Sequence, residues 1–193
     1  MMKRTALFAG GLCLAAAVAS AQGPGPGGPV GIAAGLQQQY NFLKNNLTQA
    51  ADVVPETGYA QKVGTMGEVR TYGQVIGHVA NAQFGQCSGA LGVANPNQSN
   101  NLEDGTKSRA DLIKGLADSF ALCDKAFAAL TDQNASEMLP NGRGGQTARA
   151  VALLGVIAHG NEMYGISTVY QRAQNIVPPS TAARGRGRGG RGN

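Results

Sequence analysis

The stretch Leu153-Leu154-Gly155-Val156-Ile157-Ala158-His159-Gly160-Asn161-Glu162-Met163-Tyr164-Gly165 continues through Tyr170-Gln171-Arg172 to Ile176-Val177-Pro178-Pro179-Ser180. Its apolar residues recur at three and four, so Val156, His159, Met163, Ile166 and Tyr170 fall on one helical face. The helix is expected to begin near Thr147. It must end before Pro178, because the residue preceding a proline is pushed away from helical angles. A histidine and a methionine one turn apart thus project together toward whatever this helix packs against.

The same period recurs upstream. Ile32, Leu36, Tyr40, Leu43 and Leu47 form one stripe of a first helix. Thr65-Met66-Gly67-Glu68 has a capping-box pattern, so a second helix is expected from Thr65 to about Leu91, with Val69, Tyr72, Ile76 and Val79 inward. His78 borders that apolar side. Gly92 to Thr106, with Asn95-Pro96-Asn97 and Asp104-Gly105, reads as a long polar loop. Ser108 with Asp111 can cap a third helix, whose apolar set is Leu112, Leu116, Phe120, Cys123, Phe127 and Leu130. Asn141-Gly142-Arg143-Gly144-Gly145 then breaks the chain. No strand pattern of convincing length is present, and four amphipathic helices with one long connection predict an all-α four-helix bundle.

Two low-complexity stretches bracket this body of about 150 residues, which suffices for one core. Residues 22–31 are a Gly/Pro-rich leader that cannot hold a helix. Residues 181–193 carry Arg184, Arg186, Arg188 and Arg191 among glycines, with almost nothing apolar to bury, and are expected to be disordered. Ahead of both, Lys3 and Arg4 precede the apolar run Thr5 to Val18 and the small residues Ala19-Ser20-Ala21. Residues 1–21 therefore read as a signal peptide cleaved near Ala21, and the mature chain as secreted or periplasmic.

The formal charge of +5 comes from 16 basic and 11 acidic residues. Without Lys3, Arg4 and the four tail arginines, ten basic residues face eleven acidic ones, so a basic nucleic-acid face on the folded body has no support in composition. No nucleic-acid partner is expected. The tail reads as a solvated segment with weak affinity for anionic surfaces.

Cys87 and Cys123, on consecutive helices of an exported chain, read as either a disulfide or two small buried thiols; compartment and parity favour the bridge. A bridge would close a loop of 36 residues. Catalytic patterns such as His-Glu-x-x-His, Gly-x-Ser-x-Gly, a phosphate loop or a dinucleotide fingerprint are missing. Glu68 and Arg70 read as a capping and solvated pair.

Over about residues 32–180 the chain resembles the DinB-like four-helix bundles. The likeness is carried by Tyr164-Gly165, Tyr170, Arg172 and the exit Ile176-Val177-Pro178-Pro179-Ser180, and by Thr71-Tyr72-Gly73 and His78-Val79-Ala80-Asn81-Ala82-Gln83. That family usually binds a divalent metal through one histidine on the second helix and a His-x-x-x-His pair on the fourth. The resemblance implies a site at His78, His159 and Met163, with a thioether where the family has its second paired histidine. Imidazole suits zinc, nickel and copper, whereas a thioether suits chiefly copper(I). Glu162 could add an oxygen.

Three functions follow from this reading: an envelope binding module with a degenerate metal site; a metal-dependent enzyme of thiol-transferase or hydrolase type; or a structural envelope protein that adheres through its tail. The partner is an unidentified small molecule or protein, with a second copy of the chain also open.

Overall fold

The computed structural model describes residues 30–141 and 144–189, with side chains described as far as Gly185. The expected signal peptide, most of the leader and residues 190–193 lie outside the described residues. Among the described residues six helices and one short hairpin follow in order: α1 Ile32–Val53, α2 Glu56–Tyr59, α3 Tyr72–Leu91, α4 Arg109–Ala128, β1 Met138–Pro140, β2 Gln146–Ala148, α5 Arg149–Ala173 and α6 Pro179–Gly189. The four long helices make the bundle. No described helix is long and apolar enough to cross a membrane.

On α1, Tyr40, Leu43 and Leu47 are fully buried and Leu36 partly so, but Ile32 is largely exposed. The first turn is held by hydrogen bonding instead. Gly31 has no side chain to cap it, and the Asp132 carboxylate accepts from the Ala33 amide at 2.8 Å. An acceptor 99 residues away satisfies a free helix N–H.

The second long helix starts six residues later than expected, at Thr71. The motif Ser/Thr-x-x-Glu/Gln occurs twice here, at Thr65 and at Thr71-Tyr72-Gly73-Gln74. Only the second closes: Thr71 Oγ1 accepts from the Gln74 amide, and Gln74 Oε1 from the Thr71 amide. Gly64, at φ +92°, and Gly67 disfavour a helix through the first motif, and Met66 is exposed. Val69 consequently packs from a loop. The helix ends as expected at Leu91, with Gly92 left-handed at φ +69°.

The capping box of Ser108 and Asp111 opens α4, and its whole expected apolar set is buried. Between α4 and α5 the chain forms an antiparallel hairpin that pairs Leu139 with Thr147, where no strand was expected. Three residues are too few for alternation to register. Thr147 belongs to that hairpin, and α5 begins two residues on. Arg149 fastens its start by donating to the Ala90 carbonyl and pairing with Glu137 at 2.7 Å. On α5, Val156, Met163 and Tyr170 are buried as expected; Ile166 is exposed.

Helix directions explain the long loop. Ser119 meets Gln83 and Cys123 meets Cys87, a constant offset, so α3 and α4 run parallel. Tyr40 stacks on Phe127, Lys44 bonds Asp124 and the Val54 carbonyl just past α1 accepts from Arg109, a descending order, so α1 and α4 are antiparallel. Likewise His78 meets His159 while Ala90 meets Arg149, which makes α3 and α5 antiparallel. Two consecutive parallel helices require a connection as long as the bundle, about 30 Å for 20 residues. Residues 92–108 make that return along α3: Asn97 and Leu102 bond Asn81, then Glu103 bonds His78 and Gln74.

This return needs Gly77. A Cβ there would run into the Leu102 carbonyl. Cys87 and Cys123 are fully buried at disulfide distance, with Cα atoms 5.1 Å apart. Pro179 opens α6 at a position where a missing amide costs nothing, and carries the chain helically into the Arg/Gly run, whose composition gives no reason for a helix.

Candidate functional site

His78 and His159 meet where α3 and α5 cross. Their Nε2 atoms are 3.2 Å apart, and the rings are half-buried and tilted edge to face. On the other side, His78 Nδ1 lies 2.8 Å from Glu103 Oε2, and the second oxygen of Glu103 accepts from Arg70 Nε at 2.5 Å. The Arg70 carbonyl accepts from the Tyr170 hydroxyl at 2.6 Å. A chain of polar contacts thus runs from α5 through α3 and the returning loop back to α5.

His78 Nδ1–H donates to Glu103, and one of the two facing Nε2 atoms donates to the other, the direction following the tautomer. Burial opposes ionisation of Glu103, yet hydrogen bonds from Arg70 and His78 carry its carboxyl below the usual range. Burial holds the His159 pKa below 6.5, helped by the neighbouring charges of His78 and Arg70 and opposed by Glu162.

A histidine with a depressed pKa binds its proton more readily when unfolded, so its contribution to stability is complete above about pH 6.5 and lost as pH falls. The melting temperature is expected to drop as pH falls below about 6.5, and to drop less in His159→Ala. Glu103 adds a separate loss below its ordinary 4.5. Thermal scans of both proteins across this range check the sign.

The residues can be tested against the ion that the resembling family holds. Two nitrogens at 2.0–2.1 Å on one tetrahedral ion lie about 3.3 Å apart, so the 3.2 Å gap matches two ligands of one metal. Glu103 behind His78 is the usual outer partner of a metal-bound imidazole. The set stops there. Among the described residues no group of three or more His, Cys, Asp or Glu could hold a metal. Met163, one turn beyond His159, is buried, and Glu162 is exposed. Two imidazoles alone do not make a three-ligand centre for zinc or nickel, and a thioether at position 163 is a donor suited chiefly to soft ions.

Of the residues singled out in the sequence, His78 and His159 meet. Glu68 caps nothing at the helix start; Arg70, expected in a solvated pair with it, joins Glu103 instead. Glu103 was missed, since one carboxylate in a polar loop carries no mark of its partner. The available signal was Gly77, a mid-helix glycine beside a histidine, which implies that backbone passes close by. Gly160 packs closely against Leu43, whereas Gly165 faces open space. Tyr164 and Tyr170 belong to the core.

Residues 39–163 match the family model of the DinB superfamily. The chain belongs to that superfamily. Its fold is similar to that of a DinB-like protein from Bacillus cereus ATCC 10987, at TM-score 0.64 and 19% identity over 75% of this chain and 94% of that one. A second DinB-like protein, YjoA from Bacillus subtilis, is similar at TM-score 0.57 and 13% identity over 74% and 94%. No curated protein matches.

Proposed function

We propose that this is an exported binding module of the DinB superfamily whose inherited metal seat no longer serves zinc or nickel chemistry. The observation that carries this reading is the His78–His159 pair, closed on itself by a hydrogen bond, anchored by Glu103 and, among the described residues, without a third imidazole or carboxylate ligand. Export rests on residues 1–21. The ligand is a small molecule or protein, a second copy of the chain remains a candidate partner, and the Arg/Gly tail adds weak contact with anionic surfaces.

One geometric fact favours a second reading. The Nε2 separation suits a single ion, and Met163 suits a soft one, so copper(I) could occupy the seat in a metal-dependent enzyme of thiol-transferase or hydrolase type.

Met163→His tests both. If the thioether is what excludes harder ions, the variant should bind zinc at least about 100-fold more tightly than the parent, by calorimetric titration. Equal zinc affinity in parent and variant would sink the claim that position 163 decides the chemistry. Tight copper(I) binding by the parent that is lost in Met163→Leu would favour the enzyme reading.

A further inference from the structure

Glycines on α3 fall into two groups. Gly73 and Gly77 have packing reasons, because a Cβ would press on Leu112 and Tyr59 or strike the Leu102 carbonyl. Gly85 and Gly89 have none: a Cβ at either would meet nothing within 4 Å. Both lie on an exposed part of the helix, where glycine weakens the helix relative to alanine. They form the floor of a cleft of about 360 Å³ between α3, α5 and the hairpin.

The cleft's chemistry is specific in three respects. Ala82, Ala90, Ala152, Leu139 and Pro140 make its walls largely apolar, and no charged side chain lines it among the described residues. The bare backbone at Gly85 and Gly89 lets a flat ring approach the helix more closely than any other residue would. Gln86, which also lines the cleft, has a buried Oε1 without a partner, an arrangement that favours turning the amide to meet a new donor. The volume falls in the range of small-molecule sites.

We infer that this cleft is a ligand site for a small, uncharged, planar molecule bearing an amide or hydroxyl, which lies on Gly85 and Gly89 and hydrogen-bonds the Gln86 amide. The inference rests on the binding-module reading and names its ligand class. It does not involve the histidine pair. The site was not legible in the sequence, because the hairpin that walls it was not.

Benzamide is the probe, with benzoate and benzylamine as charged counterparts, titrated into isotope-labelled full-length mature protein and followed by amide chemical shifts. Benzamide should bind with a dissociation constant on the order of a millimolar. The shifts should concentrate at residues 85–90 and Thr147, with each charged analogue at least about fivefold weaker, since none of the described lining residues compensates desolvation of a charge. Gly89→Leu should weaken benzamide at least about tenfold by filling the floor, while its melting temperature equals or exceeds the parent's. Gly85→Met checks the same floor from the next turn.

Unchanged binding in both variants, shifts elsewhere, or no saturable binding would overturn the inference. So would a concentration-dependent dimer in sedimentation that Gly89→Leu converts to monomer, because the glycine face would then be a seam between copies. Failure here leaves the metal content as it was, whereas stoichiometric zinc would defeat the binding-module reading without touching the cleft.

Discussion

Replacing Cys87 and Cys123 together by alanine should lower stability by about 3–4 kcal/mol, the chain-entropy value for closing a loop of this length. The separation of 36 residues spans the crossover between two parallel helices. Without a bridge, α3 and α4 are joined covalently only by a polar loop that must run the length of the bundle, and the unfolded chain regains the freedom of that loop. Urea denaturation of parent and double variant measures the difference, and the melting temperature should fall by roughly 10 °C. A loss below about 1 kcal/mol would mean that the sulfurs are two packed thiols that contribute no cross-link.

Gly77→Ala should cost about 1–3 kcal/mol, at the upper end because the group opposing the new methyl is backbone and cannot swing aside. The same change at Gly85, on the same helix but facing open space, should stabilise by up to about 1 kcal/mol. The contrast separates a close approach from helix propensity. Displacing Leu102 also carries Glu103 away from His78, so the variant should lose the hydrogen-bonded Nδ1–H signal of His78 in proton spectra. Retention of that signal at full stability would show that the loop does not depend on glycine there.

Much of the fold was legible because it is written in local pattern. The stripes through Tyr40, Leu43 and Leu47, through Leu112 to Leu130, and through Val156, Met163 and Tyr170 needed only the helical period. The capping box at Ser108 was read correctly for the same reason. What failed was choice between equal signals. Thr65 and Thr71 carry the same box, and the structure closes the one that continuous apolar residues follow.

The site was half legible. His78 and His159 stand on faces that the period places inward, and the family pattern pairs them. Glu103 reaches His78 through the path of the return loop, with Arg70 from the segment before α3 paired behind it, and that path follows from α3 and α4 being parallel, which no local pattern states. The hairpin beside Gly85 and Gly89 escaped notice because three-residue strands leave no period to find.

The most direct test of the central claim is elemental mass spectrometry on the mature protein, Gln22 to Asn193, purified from the periplasm without a histidine tag, with His159→Ala as control. Zinc and nickel should each be below about a tenth of an equivalent, and unchanged in the control, because the seat lacks a third hard donor. About one equivalent of either metal that disappears in His159→Ala would contradict the account and establish the histidine pair as a working divalent centre.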